Sequence, residues 1–422
     1  MTGMAAPGRV VNEPSSHRRK VVFVLPYAPP IDFRRRFFVR QFQADGYLTE
    51  YWDVGAVLGY DMKSTFDLDG LEYVRVLDLH DFVARLERED SSSTAFVIQI
   101  TREMQSFPIY RLLSRLDKKT VIFARGYLPS LSHSERSLAY YLRLLFDPHA
   151  IKRLVYFRLY AVITKLLPLI KKYDVAFVAG TLAERIHSTD SVRLARVHHS
   201  DIDFAAMDVP CSVALPNRYC VFIDDYLPFH PDLEISGYAA VKAASYYASL
   251  NRYFDAIERA CGATVVIAAH PRARYAENPF GGRLIVTNQT NALVKNAAIA
   301  VAHASSAVSF VVIHGKPLCL IYSEEIKALH PAMYNQMLKT AAVLGCPVMS
   351  FETDTTAALA TSIVDQTRYA EYYAEFLSSG VGGSTSFQVA VAEIDRLLGV
   401  EQDGSAVGAP RSTNGERSGA TR

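Results

Sequence analysis

Short apolar runs alternate with longer amphipathic segments along most of the chain, and this alternation limits the folds that it can adopt. VVFVLPY, at residues 21–27, is a continuous apolar run that predicts a buried parallel strand. The segment FRRRFFVRQFQADG follows it, with Phe33, Phe37, Phe38 and Phe42 at helical spacing before Gly46. Further strand candidates begin near Tyr73, Thr94, Lys119 and Asp174. Strand, helix, strand in this order predicts a doubly wound parallel sheet.

The same pattern restarts after Pro216. YCVFIDD, at residues 219–225, predicts a strand, and GYAAVKAASYYASLNRYFDAIERAC predicts a long helix. The runs ATVVIAAHP, RLIVTN, AAIAVAHASS and KPLCLIY then each predict a strand followed by a turn or helix. We therefore expect an α/β protein with two doubly wound, Rossmann-like domains that face each other across a cleft, and with disordered termini.

The expected boundaries follow from composition. Residues 1–17 and 401–422 are rich in Gly, Ser, Pro and charge, which predicts disorder. The first domain is expected at residues 18–205 and the second at 206–355, joined near MDVPCSVALPN, which carries two prolines. Helices at residues 356–400 are expected to pack back on the first domain.

Charge and cysteine content exclude several classes of protein. The net charge of +2 gives no indication of a nucleic-acid partner. The five cysteines are odd in number and form no paired C-x-x-C motif, which argues against a disulfide framework or a zinc site and favours a reducing compartment. The N-terminus has no apolar signal region, and no window of 18 apolar residues lacks a charge. We expect a cytoplasmic protein.

One segment departs from the pattern. Residues 140–172 read YYLRLLFDPHAIKRLVYFRLYAVITKLLPLIKK, in which basic residues are set among aromatics and leucines. Two interpretations stay open: an interdomain helix with a solvated basic face, or peripheral contact with an anionic surface on the inner face of the membrane. The oligomeric state is not indicated.

Four polar clusters follow predicted strands of the second half. They are Asp224-Asp225-Tyr226, His270-Pro271-Arg272, His303-Ala304-Ser305-Ser306 and Ser323-Glu324-Glu325. In open parallel sheets ligands bind at the carboxyl ends of strands, so parallel strands would place all four clusters on one rim. The sequence therefore predicts a binding site at this rim.

The chemistry of these clusters is that of a phosphate site. Ser305 and Ser306 are expected where a helix begins, and there hydroxyls and backbone amides attract anions. His270 can donate to a phosphate oxygen or protonate a leaving group. Arg272 and Arg274 add positive charge. A serine N-cap or a structural histidine explains each residue alone, and it is their common position that favours phosphate binding.

The adjacent carboxyls Asp224 and Asp225 are candidates for a general base. Consecutive side chains of a strand point to opposite sides, so one of the two is expected to face the cleft. Partial burial would tune its pKa for proton abstraction from a hydroxyl. The competing interpretation is a turn or capping role before Pro228.

Other motifs are weaker. The chain has no G-x-x-x-x-G-K-[ST] and no G-x-S-x-G, so it is neither a P-loop enzyme nor a protein with a nucleophile elbow at Ser305. Two D-x-D strings, Asp67-Leu68-Asp69 and Asp201-Ile202-Asp203, are too short to predict a metal, and we expect none. In VHHSDID, the residues His199 and Asp201 are candidate substrate contacts, and Arg274 is a third.

The stretches FIDDYLPFHPD, AAHPRARYAENPF, TNALVKNA, AHASSAVSF and KPLCLI resemble bacterial surface-polysaccharide transferases of the glycosyltransferase-B (GT-B) fold. That group includes polysialyltransferases and capsule Kdo transferases, which use CMP-activated sugars and carry a His-Pro motif and a serine motif. The resemblance covers about 100 residues of the second half; the first half is similar only in general architecture.

The resemblance implies roles for individual residues. His270 and Pro271 would form the His-Pro motif, and Ser305 and Ser306 the serine motif, both on the CMP phosphate. His303, Arg272 and Glu324 are candidates for the same nucleotide site because they belong to the same clusters at strand ends, and not because of the resemblance. Asp224-Asp225 would occupy the acidic motif that supplies the base. That motif normally ends in Gly, and here Tyr226 stands in its place.

The implied reaction moves an acidic sugar of sialic, legionaminic, pseudaminic or Kdo type from a CMP-sugar to a hydroxyl of a surface glycan, with inversion. The donor is a substrate, and neither a cofactor nor a metal is implied. The first domain would bind the acceptor and the second the nucleotide sugar. Alternatives are transfer of glycerol phosphate or ribitol phosphate from a CDP donor, a UDP-sugar transferase or epimerase, and a non-catalytic subunit of a polysaccharide assembly complex.

Overall fold

The computed structural model describes residues 18–27, 29, 32–60, 71–129, 169–230, 239–353 and 363–400. Both predicted disordered ends, the motif Asp67-Leu68-Asp69 and residues 140–168 of the basic segment lie outside these ranges. No helix within them combines the length and the apolar character needed to cross a membrane.

The described strands form two sheets in which every pairing is parallel. The first sheet has the order β3-β2-β1-β4-β5-β6-β7. Its strands are β1 Lys20–Leu25, β2 Leu48–Asp53, β3 Glu72–Arg75, β4 Thr94–Ile98, β5 Lys119–Ala124, β6 Tyr173–Val178 and β7 Ser191–Arg196. The second has the order β10-β9-β8-β11-β12-β13. Its strands are β8 Tyr219–Ile223, β9 Thr264–Ala269, β10 Ile285–Thr287, β11 Ile299–Ala302, β12 Leu318–Tyr322 and β13 Val348–Ser350.

Helices cover both faces of each sheet. In the first half they are α1 Phe33–Arg36, α2 Val39–Ala44, α3 Leu79–Arg88, α4 Phe107–Arg115, α5 Gly180–His187 and α6 Ser200–Ala206. In the second half they are α7 Ala243–Cys261, α8 Thr290–Asn296, α9 Val308–Ile313, α10 Glu324–Leu329, α11 Pro331–Leu344, α12 Gln366–Tyr372 and α13 Ser386–Leu397. Single 3₁₀ turns lie at Ala56–Leu58 and Leu227–Phe229, and a π-helical turn lies at Tyr373–Leu377.

The hydrophobic core of each half has two layers, one on each face of its sheet. Val21, Phe23 and Leu25 point to one face of the first sheet, while Val22 and Val24 point to the other. This alternation explains why β1 reads as a continuous apolar run, because a strand covered on both faces has no side chain in water. The predicted pair of Rossmann-like α/β sheets is confirmed.

The helix predicted over residues 33–46 is broken. Phe38 has a left-handed backbone, with φ of 56°, and separates α1 from α2. On a continuous helix, the neighbouring residues Phe37 and Phe38 would point about 100° apart. The break lets both rings reach the core beside Phe33 and Phe42. Burial of two large aromatics thus outweighs the cost of one left-handed residue.

The last helices of the chain contact the first half. Ala390 and Ile394 of α13 belong to the core on one face of the first sheet, and Asp395 pairs with Arg19 at 2.6 Å. The π-helical turn packs on α5, where a Cβ at Gly180 would collide with the carbonyl of Glu375. Glycine is therefore required at position 180, which also has a positive φ of 76°.

The two halves also meet directly along a seam. The backbone N–H of Ser212 donates to Gln289 at 2.7 Å, and the Gln289 amide donates to the Ser212 hydroxyl at 2.6 Å. Asp208 pairs with Lys295. The hydroxyl of Ser309 in α9 donates to the carboxylate of Asp201 in α6. These contacts connect the segment after β7 with helices α8 and α9 of the second half.

Candidate functional site

The order of the second sheet identifies a crevice. Strand β8 lies between β9 on one side and β11 on the other, so the direction of chain crossover reverses between β8 and β11. At such a switch point the loops leave in opposite directions and open a crevice beyond the carboxyl ends of the strands. Asp225 follows β8 and Ser305 follows β11, the two neighbouring strands that define this switch point. Two of the predicted site residues therefore meet at the switch point.

Asp225 is the carboxyl that faces the crevice. It is partly exposed, yet protein surrounds it closely enough that burial raises its pKa from the ordinary 3.8 to about 7. The negative charge of Asp224 adds to the rise, and the hydroxyl of Ser305, which is within hydrogen-bonding reach, opposes it. A carboxyl with a pKa near 7 at the floor of a crevice can accept a proton from a bound hydroxyl.

Asp224 has a different environment. Its side chain is 2% exposed, and it accepts hydrogen bonds from the backbone N–H of Tyr226 at 3.0 Å and from the hydroxyl of Tyr275. Burial raises its pKa, and the hydrogen bonds from Tyr275 and from the backbones of Tyr226 and His270 lower it. Asp224 therefore joins the end of β8 to the loop after β9. It holds the loop that carries His270 beside Asp225.

Tyr226 occupies the position where the resembling transferases have glycine. Its backbone is left-handed, with φ of 54° and ψ of 32°, a conformation that glycine adopts without steric cost. The ring is 8% exposed and packs against Phe229 and Tyr275, and its hydroxyl donates to the carbonyl of Arg274 at 3.0 Å. This departure in sequence thus keeps the turn that glycine would favour and adds side-chain packing.

His270 lies at the end of β9, next to β8 in the sheet. Its Nδ1 accepts the backbone N–H of Arg272 at 3.2 Å, so the proton of the neutral ring is on Nε2. Pro271 lies in the turn closed by the N–H of Ala273 on the His270 carbonyl, at 2.8 Å. The predicted His-Pro pair therefore fixes the tautomer of the histidine.

A second histidine accompanies His270 and was missing from the predicted site. The rings of His230 and His270 have centroids 4.8 Å apart in an edge-to-face arrangement. His230 follows the 3₁₀ turn after β8 and is partly buried. Its signal was present in FIDDYLPFHPD, where a second His-Pro pair ends the stretch that carries both aspartates.

The serines precede the helix instead of opening it. Helix α9 begins at Val308 with Ala307 as its N-cap and has six residues. The N–H groups of Val308 and Ser309 are used by the carbonyls of Ser305 and Ser306, at 3.3 and 3.2 Å. The predicted contribution of a helix terminus to anion binding is therefore small. The hydroxyl of Ser305, which is partly exposed, is within hydrogen-bonding reach of Asp225, and Ser306 is exposed.

The charged residues predicted around this site lie on its surface. Arg272 and Arg274 are both exposed, and the guanidinium of Arg274 turns back onto the carbonyl of Ala273 at 2.9 Å. Glu324 is the first residue of α10, after β12, and pairs with Lys327 at 3.2 Å. Glu324 therefore stands on the far side of β11 from Asp225, at the rim of the same sheet.

His303 was predicted to contact the nucleotide, and the structure places it in the core instead. It is 0% exposed. Its Nδ1 lies 2.6 Å from the carbonyl oxygen of Ile321 and its Nε2 lies 2.9 Å from the hydroxyl of Tyr246. Burial lowers its pKa to about 4. The prediction failed because a residue one position past β11 still points inward, between the sheet and α7.

His199 and Asp201, the predicted substrate contacts of the first half, lie at the seam. His199 is 6% exposed, burial lowers its pKa, and its Nδ1 accepts the N–H of Asp201 at 3.1 Å. Asp201 contacts Ser309, as described above. Asp203 pairs with Arg125 and accepts a hydrogen bond from the hydroxyl of Ser386 at 2.9 Å.

Across the described ranges no three His, Cys, Asp or Glu side chains are grouped to hold a metal ion.

Comparison with solved structures shows the fold. The chain is similar to the glycotransferase of kitacinnamycin, with 14% identity over 90% of this chain and 99% of that chain and a TM-score of 0.50. It is also similar to the calicheamicin glycosyltransferase CalG4, with 14% identity over 90% and 98% of the two chains and a TM-score of 0.51. No family model and no curated protein sequence matches the chain. The architecture is that of GT-B glycosyltransferases.

Proposed function

We propose that this protein is an inverting glycosyltransferase that moves an acidic sugar of the nonulosonic acid or Kdo type from a CMP-sugar to a hydroxyl of a surface glycan. The observation that supports it most is the position of Asp225 beside Ser305 at the switch point, with a carboxyl pKa of about 7. A base and hydroxyl donors in one crevice are what a transfer between a phosphate ester and an alcohol requires.

In this proposal the donor phosphate lies between β9 and β11. The Nε2–H of His270 approaches it from one side, and the hydroxyls of Ser305 and Ser306 approach it from the other. These groups donate to the phosphate oxygens, and they stabilise the negative charge that builds up on CMP as the glycosidic bond breaks. Arg272, at the mouth of the same site, adds positive charge without direct contact to the reacting atoms.

Asp225 is the general base. It removes the proton of the acceptor hydroxyl while that oxygen attacks the anomeric carbon from the face opposite CMP. The bond from the anomeric carbon to the phosphate oxygen breaks, and its electron pair leaves with CMP. Attack from the opposite face inverts the anomeric configuration. Holding both substrates at the crevice supplies the required orientation.

Asp224 does not touch either substrate in this proposal. Its hydrogen bonds to Tyr226, Tyr275 and the backbone of His270 hold the base and the phosphate ligand at a fixed separation. The architecture shared with two glycosyltransferases is consistent with a donor in the second half and an acceptor across the cleft.

A thermal-shift panel of CMP, CDP, UMP and UDP tests the donor. CMP should stabilise the wild type, by about 2.7 kcal/mol at 100 times its Kd, and His270→Ala should lose most of this response. His314→Ala is the matched control, because His314 bonds to Asn291 away from the crevice and should leave the response unchanged. An absent CMP response, or an equal one in His270→Ala, contradicts the proposal.

Product analysis tests the reaction. Incubation with a CMP-activated acidic sugar and a glycan acceptor should release CMP and yield a glycan extended by the acidic sugar. The proposal requires no metal, so EDTA should leave the activity intact. A phosphodiester-linked polyol product from a CDP donor would identify a polyol-phosphate transferase instead.

A further inference from the structure

Asp201 brings a negative charge from the first half of the chain to the serine turn of the second half. Its carboxylate, which is 13% exposed, accepts the hydroxyl of Ser309. The Ser309 oxygen is in turn 3.0 Å from the carbonyl oxygen of Ser306. Two hydrogen-bond lengths in series span about 6 Å. The carboxylate is therefore close to the serine that we assign to the donor phosphate.

The arginines around this position form their ion pairs with other carboxylates than Asp201. Arg125, at the end of β5, makes its ion pair with Asp203. Arg36, at the end of α1, makes its ion pair with Asp32 at 2.5 Å. Each of these two arginines thus has a carboxylate partner of its own, and its interaction with Asp201 is electrostatic without direct contact.

Two further neighbours of Asp201 are neutral. His199 lies 3.7 Å away, but its Nδ1 accepts the Asp201 N–H and burial lowers its pKa, so the ring is uncharged at neutral pH. From α12 the nearby group is Tyr372, whose hydroxyl is buried and, in the part of the chain that the structure describes, has no hydrogen-bond partner. Burial first, and then the charge of Asp201, raises the pKa of Tyr372. Among the described residues Asp201 therefore forms no ion pair with an arginine or lysine, and Arg35, whose guanidinium lies 5.2 Å from the Phe204 ring of the same helix, adds a positive charge nearby without pairing with it.

We infer that Asp201 is a specificity-determining residue that disfavours nucleoside diphosphates relative to monophosphates at the serine turn. A nucleoside diphosphate brings at least one more negative charge than the monophosphate. At separations of 6–10 Å in a partly buried site, repulsion between two unit charges changes binding by roughly tenfold. This inference rests on the donor site proposed above, because it takes Ser305 and Ser306 as phosphate ligands.

The test compares nucleotide pairs that differ only in phosphate number. Dissociation constants of CMP, CDP, UMP and UDP are measured by calorimetry for wild type, Asp201→Asn and Ser309→Ala. Asparagine removes the charge but can still accept the Ser309 hydroxyl. Asp201→Asn should tighten CDP by about 3- to 10-fold more than CMP. Ser309→Ala removes the hydrogen bond and keeps the charge, so the CDP-to-CMP ratio should stay within about twofold of wild type.

The outcomes are distinct. An unchanged ratio in Asp201→Asn, or an equal change in Ser309→Ala, would overturn the inference and show a structural contact only. If Asp201→Asn fails to fold, Asp201→Ser removes the same charge with a smaller side chain, and its ratio decides. If only uridine nucleotides bind, the proposed CMP donor is wrong, but the UDP-to-UMP ratio still reports on Asp201.

Discussion

The backbone N–H of Tyr226 donates to Oδ1 of Asp224 across 3.0 Å, inside a turn whose left-handed residue is Tyr226 itself. This hydrogen bond directs the Asp224 carboxylate away from the crevice and leaves Asp225 as the carboxyl that reaches it. Two adjacent residues of one type thus have different tasks. The separation follows from the alternation of side chains at the end of a strand, and the turn maintains it.

The first prediction separates these two aspartates. Asp225→Asn should lower kcat by about 10²- to 10⁴-fold, because it removes the base, while CMP affinity changes by less than about threefold. Asp224→Asn is the matched comparison. It replaces a carboxylate that accepts several hydrogen bonds and should both destabilise the protein, by about 1–3 kcal/mol, and raise KM. Steady-state kinetics with calorimetry check both; equal losses of kcat would contradict the assignment.

The second prediction concerns the pH dependence of the rate. A base must be ionised to accept a proton, and the pKa of Asp225 is about 7. The value of kcat/KM should therefore rise with pH, with a slope near one below pH 7, and level off above it. Rates measured from pH 5 to 9 with a CMP-sugar donor test this. A rate that is flat between pH 5 and 7 would mean that another group is the base.

The third prediction links the same pKa to stability. The folded protein binds the Asp225 proton up to pH 7, whereas the unfolded chain releases it near 3.8. The free energy of unfolding should therefore fall as the pH rises from about 4 to 7. The variant Asp225→Asn has no titrating carboxyl at this position, so its free energy of unfolding should not fall for this reason. Because the carboxyl is partly exposed, we expect the variant to be more stable by about 1–3 kcal/mol above pH 7, and by almost nothing at pH 4.

Urea unfolding at pH 4, 6 and 8 measures this difference. Tyr275→Phe is an informative companion, because it removes a donor to Asp224 and should destabilise the protein at pH 8 by about 1–2 kcal/mol. A stabilisation by Asp225→Asn that did not depend on pH would point to packing and not to charge. Reduced stability of that variant at pH 8 would refute the assigned pKa.

The sequence predicts the strands that read as apolar runs and misses β2, β7 and β13. Strands such as β1 and β8 are covered on both faces and read as apolar runs. Strand β7, SVRLAR, lies at the edge of its sheet and has exposed residues at four of six positions, so its apolar signal is lost. Strands β2 and β13 were missed for related reasons, since β2 carries Thr, Glu and Asp and β13 has three residues.

The candidate site was predictable to the extent that it depends on strand ends. Asp225, His270 and Ser305 follow strands that periodicity identifies, and the sheet brings them together. The sequence does not show how many residues continue in the extended direction of a strand after its last backbone hydrogen bond to the neighbouring strand. His303 is the example, because it lies one residue beyond β11 and still points into the core. The contact of Asp201 with Ser309 depends on the placement of the two halves, which no local pattern encodes.

The fourth prediction tests whether His303 contributes to the stability of the core or to nucleotide binding. In His303→Leu, the hydroxyl of Tyr246 and the carbonyl of Ile321 lose their buried partner, and we expect a loss of about 2–4 kcal/mol in the free energy of unfolding. His270→Leu is the matched control: it should change stability by less than about 1 kcal/mol and should abolish the CMP response. Urea unfolding and calorimetry at 10 °C, where both variants are folded, measure the two effects. If folded His303→Leu binds CMP more than threefold more weakly than wild type, His303 contributes to the nucleotide site and its assignment to the core alone fails.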